Sequence, residues 1–557
     1  MEPIKPLPIA SLFSRERILP VVEGLILASI VLGVLAAGGE VVRASYHGLL
    51  HSTLGDAVMR QGYLPENPYH AGVPLRYYTL YPWLGVKLGS FLGGSLWGFA
   101  AINVMAAFLF GPALDALGRA LDLRFHARRA AFWAAILGFH GLGWLALQSE
   151  SLAGAPPVMA LREMVLPDTA FAWDARLQAF LPKFFNVSSF AISLPFGLSA
   201  LAAAIRIGGR PLEVFAPLAF ALALNPLVGA YVALVVALWK IHTLLSGSIL
   251  ERLRWPFVGF LAFVFAGISL LPLFHAAPTG QSLTGGFAGI GSPLFSLIGP
   301  SFLLIVLSFW GFPKMPAASR SALLGALVLA GALAFLPLPW ANQYKLARLF
   351  ALLLALPAGV ALARFWSLRG WFRAGLIALA LLCVPTTLCT IEAYLKWGKE
   401  AAPLPLQTVD GVFQIRDHPL SPFPDSIARA EAEAAPDAVL WMHPSHPATQ
   451  AKGAVAQGNV LAPLFHHSLF VDRPQIHNDR QADLQKRLDL SAQLWGDDLI
   501  QTKQALSLSR ALLPNRPFLI MTHESADKTV QALSAVSGAE LLAAELGWQL
   551  WRLPNLK

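Results

Sequence analysis

The chain has 557 residues, is 56% hydrophobic and only 13% charged, and carries a net charge of +9. Soluble domains hold roughly 25% charged residues, so this composition excludes an ordinary soluble domain and indicates an integral membrane protein with several spans. The positive balance does not indicate nucleic-acid binding, because no basic stripe with interleaved aromatics is present and Lys and Arg cluster at the ends of apolar runs, where a topology signal places them.

Ile18 to Ala37 follows Arg15 and Arg17 and, at about 20 apolar residues, is long enough to stay as a signal anchor. Further apolar runs lie at 94–118, 130–148, 186–204, 255–273, 294–312, 321–338, 346–363 and 374–393. Cys383 and Cys389 share the last of these; six residues apart on a helix turns them to opposite faces, so neither a disulfide nor a cysteine metal site is implied. Segment 212–240 is too long for one comfortable span and too short for two, and Asn225-Pro226 interrupts it.

Charge decides between the topologies. Arg15/Arg17, Arg119 to Arg129, Arg206/Arg210, Lys240 to Arg254, Lys314/Arg320 and Arg364 to Arg373 form the basic connections. All lie on one side only if 212–240 goes out and back as two short helices meeting at Asn225-Pro226. Such a break is tolerated where it lines a cavity rather than faces lipid. The expectation is a mostly α polytopic bundle over 1–393 with about 11 membrane segments, N-terminus cytoplasmic and C-terminus outside. Tyr78 to Leu92 is then an interfacial helix, and the outer side receives 38–93, 149–185, the Gly-rich loop 274–293 and Pro337 to Arg348. Residues 394–557 are ordinary in composition and predict a small α/β extracytoplasmic domain. Its elements are a helix at 426–435, a strand at 438–442, one long amphipathic helix at about 479–512, a strand at 518–522, a helix at 526–537 and a closing strand pair.

The candidate chemistry sits in the outer loops. Glu40 lies at the end of the first span. Asp56 belongs to a short helix expected over about 47–61, with His47 and His51 sharing a face. A carboxylate or histidine there suits a general base toward an acceptor hydroxyl; equally, a wet interfacial helix carries such residues without function. No third ligand accompanies the two histidines, so a metal pair is not favoured. The rigid turn after Gly62 brings Asn67, Arg76 and Tyr78, of which the guanidinium suits a phosphate and the aromatics suit a membrane interface. The second loop supplies Arg176, Lys183 and Asn186 at the rim of a span. At the outer end of another span, Lys345 and Arg348 stand three apart on one face, beside Asn342, Gln343 and Tyr344. Positive charge there runs against the topological bias, and either snorkelling or binding of a lipid phosphate explains it. In the tail, His443, His446, His466, His467 and His477 match no strong metal template; no cofactor is certain, and a divalent metal is conceivable but unsupported by any ligand set.

The layout of a first span, an acidic outer loop and the interfacial "YPWLGVKLGSFLGGS" feeding "LWGFAAINVMAAFLFGPALDALGRAL" resembles the GT-C superfamily of glycosyltransferases, notably its protein mannosyltransferase and aminoarabinose transferase branches. The wording "HGLLHSTLGDAVMRQGYLPENPYHAGVPLRYYTLYPWLG" is similar to bacterial and archaeal members without an assigned function. Two departures are plain. A lone Glu40 stands where those branches place an Asp-Glu pair, and Leu80-Tyr81-Pro82-Trp83 replaces their HPPL-like motif. The resemblance implies a bacterial inner-membrane enzyme that moves a sugar from a polyprenyl-phosphate carrier to a glycan, lipid or protein acceptor at the outer face. On that reading Asp56 or Glu40, with His51, assists an inverting attack; Lys345, Arg348, Arg176, Lys183 and Arg76 hold the donor phosphate; and Asn67, Asn342, Tyr344 and Tyr78 contact sugar or acceptor. The alternative is a non-catalytic GT-C-fold scaffold or a lipid-linked saccharide transporter. Few polar residues lie deep in the spans, which weighs against a translocation path.

Overall fold

The apolar runs fold as helices whose ends fall at the punctuating residues. The computed structural model describes residues 15–44, 47–137, 180–206, 211–246, 248–275, 297–298, 301–336, 342, 344–368, 370–400, 406–409, 412–415, 425–443, 466–471 and 483–555. The Gly-rich loop, most of the second outer loop including Arg176, His446 and His477 lie outside these residues, as do the side chains of Tyr344 and both cysteines. The chain divides into two compact units. One comprises Met1–Arg43, Ala100–Ile268 and Ser282–Ala401; the other comprises Ala44–Phe99, Ser269–Gln281 and Ala402–Lys557.

The first unit is helical: α1 (Arg15–Ala37), α2 (Gly39–Ala44), most of α5 (Ser95–Ala120), α6 (Phe125–Leu137), α7 (Pro182–Phe185), α8 (Ser189–Ile205), α9 (Pro211–Leu224), α10 (Pro226–Ser246), most of α11 (Ile249–His275), α12 (Phe302–Gly311), α13 (Ala317–Ala334), α14 (Tyr344–Ser367) and α15 (Trp371–Glu400). Among the described residues, Arg15–Ala37, Ser95–Ala120, Leu253–Pro272, Ala317–Ala334 and Lys345–Ser367 are long and apolar enough to cross a membrane.

The segment 212–240 does break into two helices. Asn225 is 2% exposed; its Oδ1 accepts from the Val228 N–H at 3.2 Å and its Nδ2 donates to Ser189 Oγ at 2.9 Å. The break's polar side chain is therefore satisfied within the protein, as a nonpolar surround requires. The C-terminal ends of α5, α8 and α10 and the N-terminal end of α13 line one cavity. Since α8 and α10 both end there, α9 and α10 go out and return, which is the hairpin that the charge pattern requires. Near these ends Asp115, whose side chain is fully buried, is bound by Arg119 at 2.5 Å, by Arg128 Nε at 2.8 Å and by Arg129, which also binds Glu23. Part of the basic cluster at 119–129 is thus an internal ion network, in which a carboxylate buried without these partners would be costly.

In the second unit, α3 (Gly48–Gln61) and α4 (Leu80–Leu92) form from the first loop. At 13 residues α4 is too short to span, and Ser269 holds its start: the Leu80 N–H donates to Ser269 Oγ and the Thr79 N–H to the Ser269 carbonyl, both at 3.0 Å. The tail folds as a hairpin of β1 (Leu406–Val409) and β2 (Val412–Ile415), then a mixed five-stranded sheet in the order β4-β3-β5-β7-β6. Its strands are β3 (Val439–Met442), β4 (Ser468–Leu469), β5 (Phe518–His523), β6 (Glu540–Glu545) and β7 (Trp548–Leu553), with helices α16 (Asp425–Ala432), α17 (Leu484–Leu494), α18 (Leu499–Leu512) and α19 (Asp527–Ser534). The single helix expected over 479–512 is two. Asp498 caps a new helix by accepting from the Ile500 and Gln501 N–H groups at 2.8 and 3.3 Å, and the Gly496–Asp498 link turns the chain.

Strand alternation sorts the core. Val439, Trp441, Phe518 and Ile520 point to one face, where Leu490, Leu494, Leu506 and Leu533 cover them. Leu440, Met442, Leu519 and Met521 point to the other, where Ile427 and the first-loop residues Leu49, Leu50, Leu54, Tyr69, Leu75 and Tyr77 pack. A compositional boundary at 393/394 does not register this packing: the segment 44–99 covers one face of the tail's sheet.

Candidate functional site

In the first unit, cations that stand far apart in sequence come together. Pro182 starts the short helix α7 and Asn186 ends it in an extended conformation, which places Lys183 inside, 8% exposed. Arg348, one turn into α14, is 3% exposed, and Lys345 is half-buried one turn earlier. Burial, and then the like charges of Arg348 and Lys345, hold the Lys183 ammonium well below the usual lysine range. Asn342 lies two residues before α14, its carbonyl accepting from the Lys345 N–H at 3.0 Å.

Around Asn186 the first unit adds polar groups that the sequence reading passed over. Tyr394, fully buried on α15, donates to Asn186 Oδ1 at 2.9 Å and its ring lies edge-on to Phe185, with centroids 5.0 Å apart. Asn103, 1% exposed in α5, donates from Nδ2 to the Asn186 carbonyl at 3.0 Å. Its Oδ1 is buried with no hydrogen-bond partner among the described residues, leaving an acceptor on hand. A polar residue in mid-span is a recognisable signal, and Asn103 within "FAAINVMAAF" carries it. Gly398 of α15 lies so close to Gly38 that a Cβ would meet the Gly38 carbonyl. Gly38 immediately precedes α2, where Glu40 is half-buried. Glu40, Asn186, Tyr394 and the three cations therefore all belong to the first unit.

The remaining first-loop candidates belong to the second unit, in varied settings. Asp56, with its side chain 50% exposed, pairs with Arg60 at 2.8 Å in the i,i+4 arrangement. His51 is 3% exposed among the rings of Tyr77, Tyr81 and Phe99, at 5.6, 5.0 and 5.9 Å. Asn67 shapes a turn: its Oδ1 accepts from the Tyr69 N–H at 3.0 Å. Tyr77 stacks on Tyr78 at 4.2 Å and donates to its hydroxyl at 2.9 Å. Arg76 is half-buried. The turn itself is fastened into the sheet. The Leu469 N–H donates to the Pro68 carbonyl and the Ala71 N–H to the Leu469 carbonyl, both at 2.9 Å, so residues 68–71 extend the sheet beyond β4. Arg516 binds Glu66 at 2.5 Å, and Arg487 donates to the Ala71 carbonyl at 2.7 Å.

Two tail histidines find a different partner. Glu431, 1% exposed, accepts from His466 Nδ1 at 3.0 Å and His467 Nδ1 at 2.6 Å. Burial alone raises this carboxyl, but the hydrogen bonds and charge of the two rings override it and hold it at about 2. His443 is pushed down to about 4, by burial and then by the neighbouring His523. Among the described residues, no group of three or more His, Cys, Asp and Glu is arranged to hold a metal ion.

No family model matches the chain, and no curated protein does. In fold it is similar to ArnT from Cupriavidus metallidurans. The structure of that protein bound to undecaprenyl phosphate is 13% identical with a TM-score of 0.45, and its apo structure is 12% identical with a TM-score of 0.46. Each match covers 94% of this chain and 97% of the other.

Proposed function

We propose that this protein is a membrane glycosyltransferase that takes a sugar from a polyprenyl-phosphate carrier and passes it to an acceptor hydroxyl. The observation that carries the reading is the meeting of Lys183, Lys345 and Arg348 in one unit. Two of these are buried, and cations gathered in a poorly solvated place suit the binding of an anion. Arg348 offers planar, bidentate recognition of phosphate oxygens, and the lysines offer movable point charges. The same cations stabilise the phosphate as it leaves the anomeric carbon, so their effect grows toward the transition state.

Asn103 Oδ1 and the Tyr394–Asn186 pair supply hydroxyl partners for the sugar. The acceptor hydroxyl loses its proton to a first-loop carboxylate as it attacks the anomeric carbon from the face opposite the phosphate. The bond to the carrier oxygen breaks with inversion, and the carrier phosphate departs with both electrons. Glu40 is favoured over Asp56 for this base, because it belongs to the unit that holds the cations. Purified protein in liposomes, supplied with polyprenyl-phosphate pentoses and hexoses and with an extract of cell-envelope glycans and lipids as acceptor, should release free carrier phosphate with at least one of them. Release that is unchanged in the Arg348→Met variant overturns the reading.

A further inference from the structure

The cavity between the ends of α5, α8, α10 and α13 has a volume of about 940 Å³, and nothing in the proposed transfer uses it. It belongs to the first unit. Its lining brings Arg119, Arg206 and Lys240 together from three helices against a single lining carboxylate, Asp122. Arg119 is partly committed to Asp115, at 2.5 Å. Arg206 is exposed at the end of α8, and the Lys240 ammonium lies 4.7 Å over the Trp255 ring. The adjoining wall is amphipathic. Trp239 has its indole N–H tied to the Ala322 carbonyl at 2.8 Å and lines the cavity with Leu238, Gly325, Ser319 and Ser321.

We infer that this cavity is a second anion site, one that takes a phosphate-bearing group of net negative charge, such as the headgroup of an anionic lipid. Three features fit that class. The cations come from separate helices and line one cavity. The hydroxyls suit phosphate oxygens, and the apolar wall suits the start of an acyl chain or a glycerol. Basic pockets between the ends of membrane helices are known to hold anionic headgroups. The site differs from the Lys183 cluster in every residue, so one can fail without the other. A ligand there bridges α8, α10 and α13, which steadies the hairpin broken at Asn225.

The test uses the full chain in detergent. Thermal unfolding is followed with phosphatidylglycerol, with phosphatidylcholine, or with inorganic phosphate added, and lipid retention is read by native mass spectrometry. Phosphatidylglycerol should raise the unfolding midpoint and be retained at least fivefold more than phosphatidylcholine. The Arg206→Gln/Lys240→Gln double variant should lose that preference. Arg373→Gln, at a basic helix end that does not line the cavity, should keep it, and Lys240→Arg should keep it as well. A rise with inorganic phosphate that the double variant abolishes identifies the phosphate itself as the recognised group; a response to lipid alone assigns the site to a lipid headgroup. Equal retention in the parent and the double variant, or equal loss in Arg373→Gln, overturns the inference.

Discussion

Replacing Lys183 by methionine should move stability and ligand binding in opposite directions. Lys183 is 8% exposed and Arg348 3% exposed, and burial and the like charges of Arg348 and Lys345 all disfavour the ammonium. At an effective dielectric of ~20, two unit charges ~4 Å apart repel by about 4 kcal/mol, and more widely spaced ones by less. Relief of that repulsion, less the loss of the lysine's own contacts, leaves a gain of about 1–2 kcal/mol in the unliganded protein, a rise of ~1–3 °C in unfolding midpoint. Methionine keeps the apolar stem, so little packing is lost. A phosphate, by contrast, loses one charge-assisted hydrogen bond worth about 1.5–3 kcal/mol, which weakens binding ~10- to 150-fold. The assay pairs a fluorescence melt of detergent-solubilised protein with titration of a short-chain polyprenyl phosphate. A K183M protein that binds the carrier phosphate as tightly as the parent, or that melts several degrees lower without ligand, refutes the reasoning.

Three other outcomes are expected. Glu40→Gln should lower sugar transfer by ~10²- to 10⁴-fold and Asp56→Asn far less, as read from initial rates; the reverse order would move the base to Asp56. Stability of the tail should vary with pH through Glu431 and His466. Because the Glu431 carboxyl is held at about 2, below its ordinary 4.5, its contribution is complete above that ordinary value and is lost as pH falls toward the folded one. Because His466 is raised above its ordinary 6.5, by its hydrogen bond to Glu431, its contribution is complete below that value and fades as pH rises through the folded one. Melts across pH 2–9 should therefore show both losses in the parent, with Glu431→Gln flattening them. Leu50→Ala, which strips cover from the sheet, should cost about 2–5 kcal/mol, and limited proteolysis should then cut the tail earlier than in the parent.

Much of the fold was legible because it rests on local chemistry. Apolar length marked the helices, and the charge pattern required the hairpin at Asn225-Pro226, where the side chain of Asn225 turns out to cap the second helix and tie it to Ser189. In the tail, β3, β5 and the closing pair were readable as short apolar runs, whereas the β1–β2 hairpin and the two-residue β4 were not. Nor was the tail's longest helix, since a continuous amphipathic pattern hides a break that depends on one capping aspartate, Asp498. The first loop shows the limit most clearly. Its polar residues stand out in so apolar a chain, yet Glu66, Asn67 and the backbone at Pro68 and Ala71 serve to fasten the loop to the tail, a long-range pairing with no local signature. The cation cluster was half legible. Lys345 and Arg348 drew attention by sitting against the topological bias, but only the fold sets Lys183 beside them and adds Asn103 and Tyr394 around Asn186.

The most direct measurement is a structure of the protein with a polyprenyl phosphate bound. The carrier's phosphate should lie within hydrogen-bond distance of Arg348 and at least one of Lys183 and Lys345, with Glu40 facing the space beyond it. A phosphate seated away from all three cations would contradict the proposed chemistry.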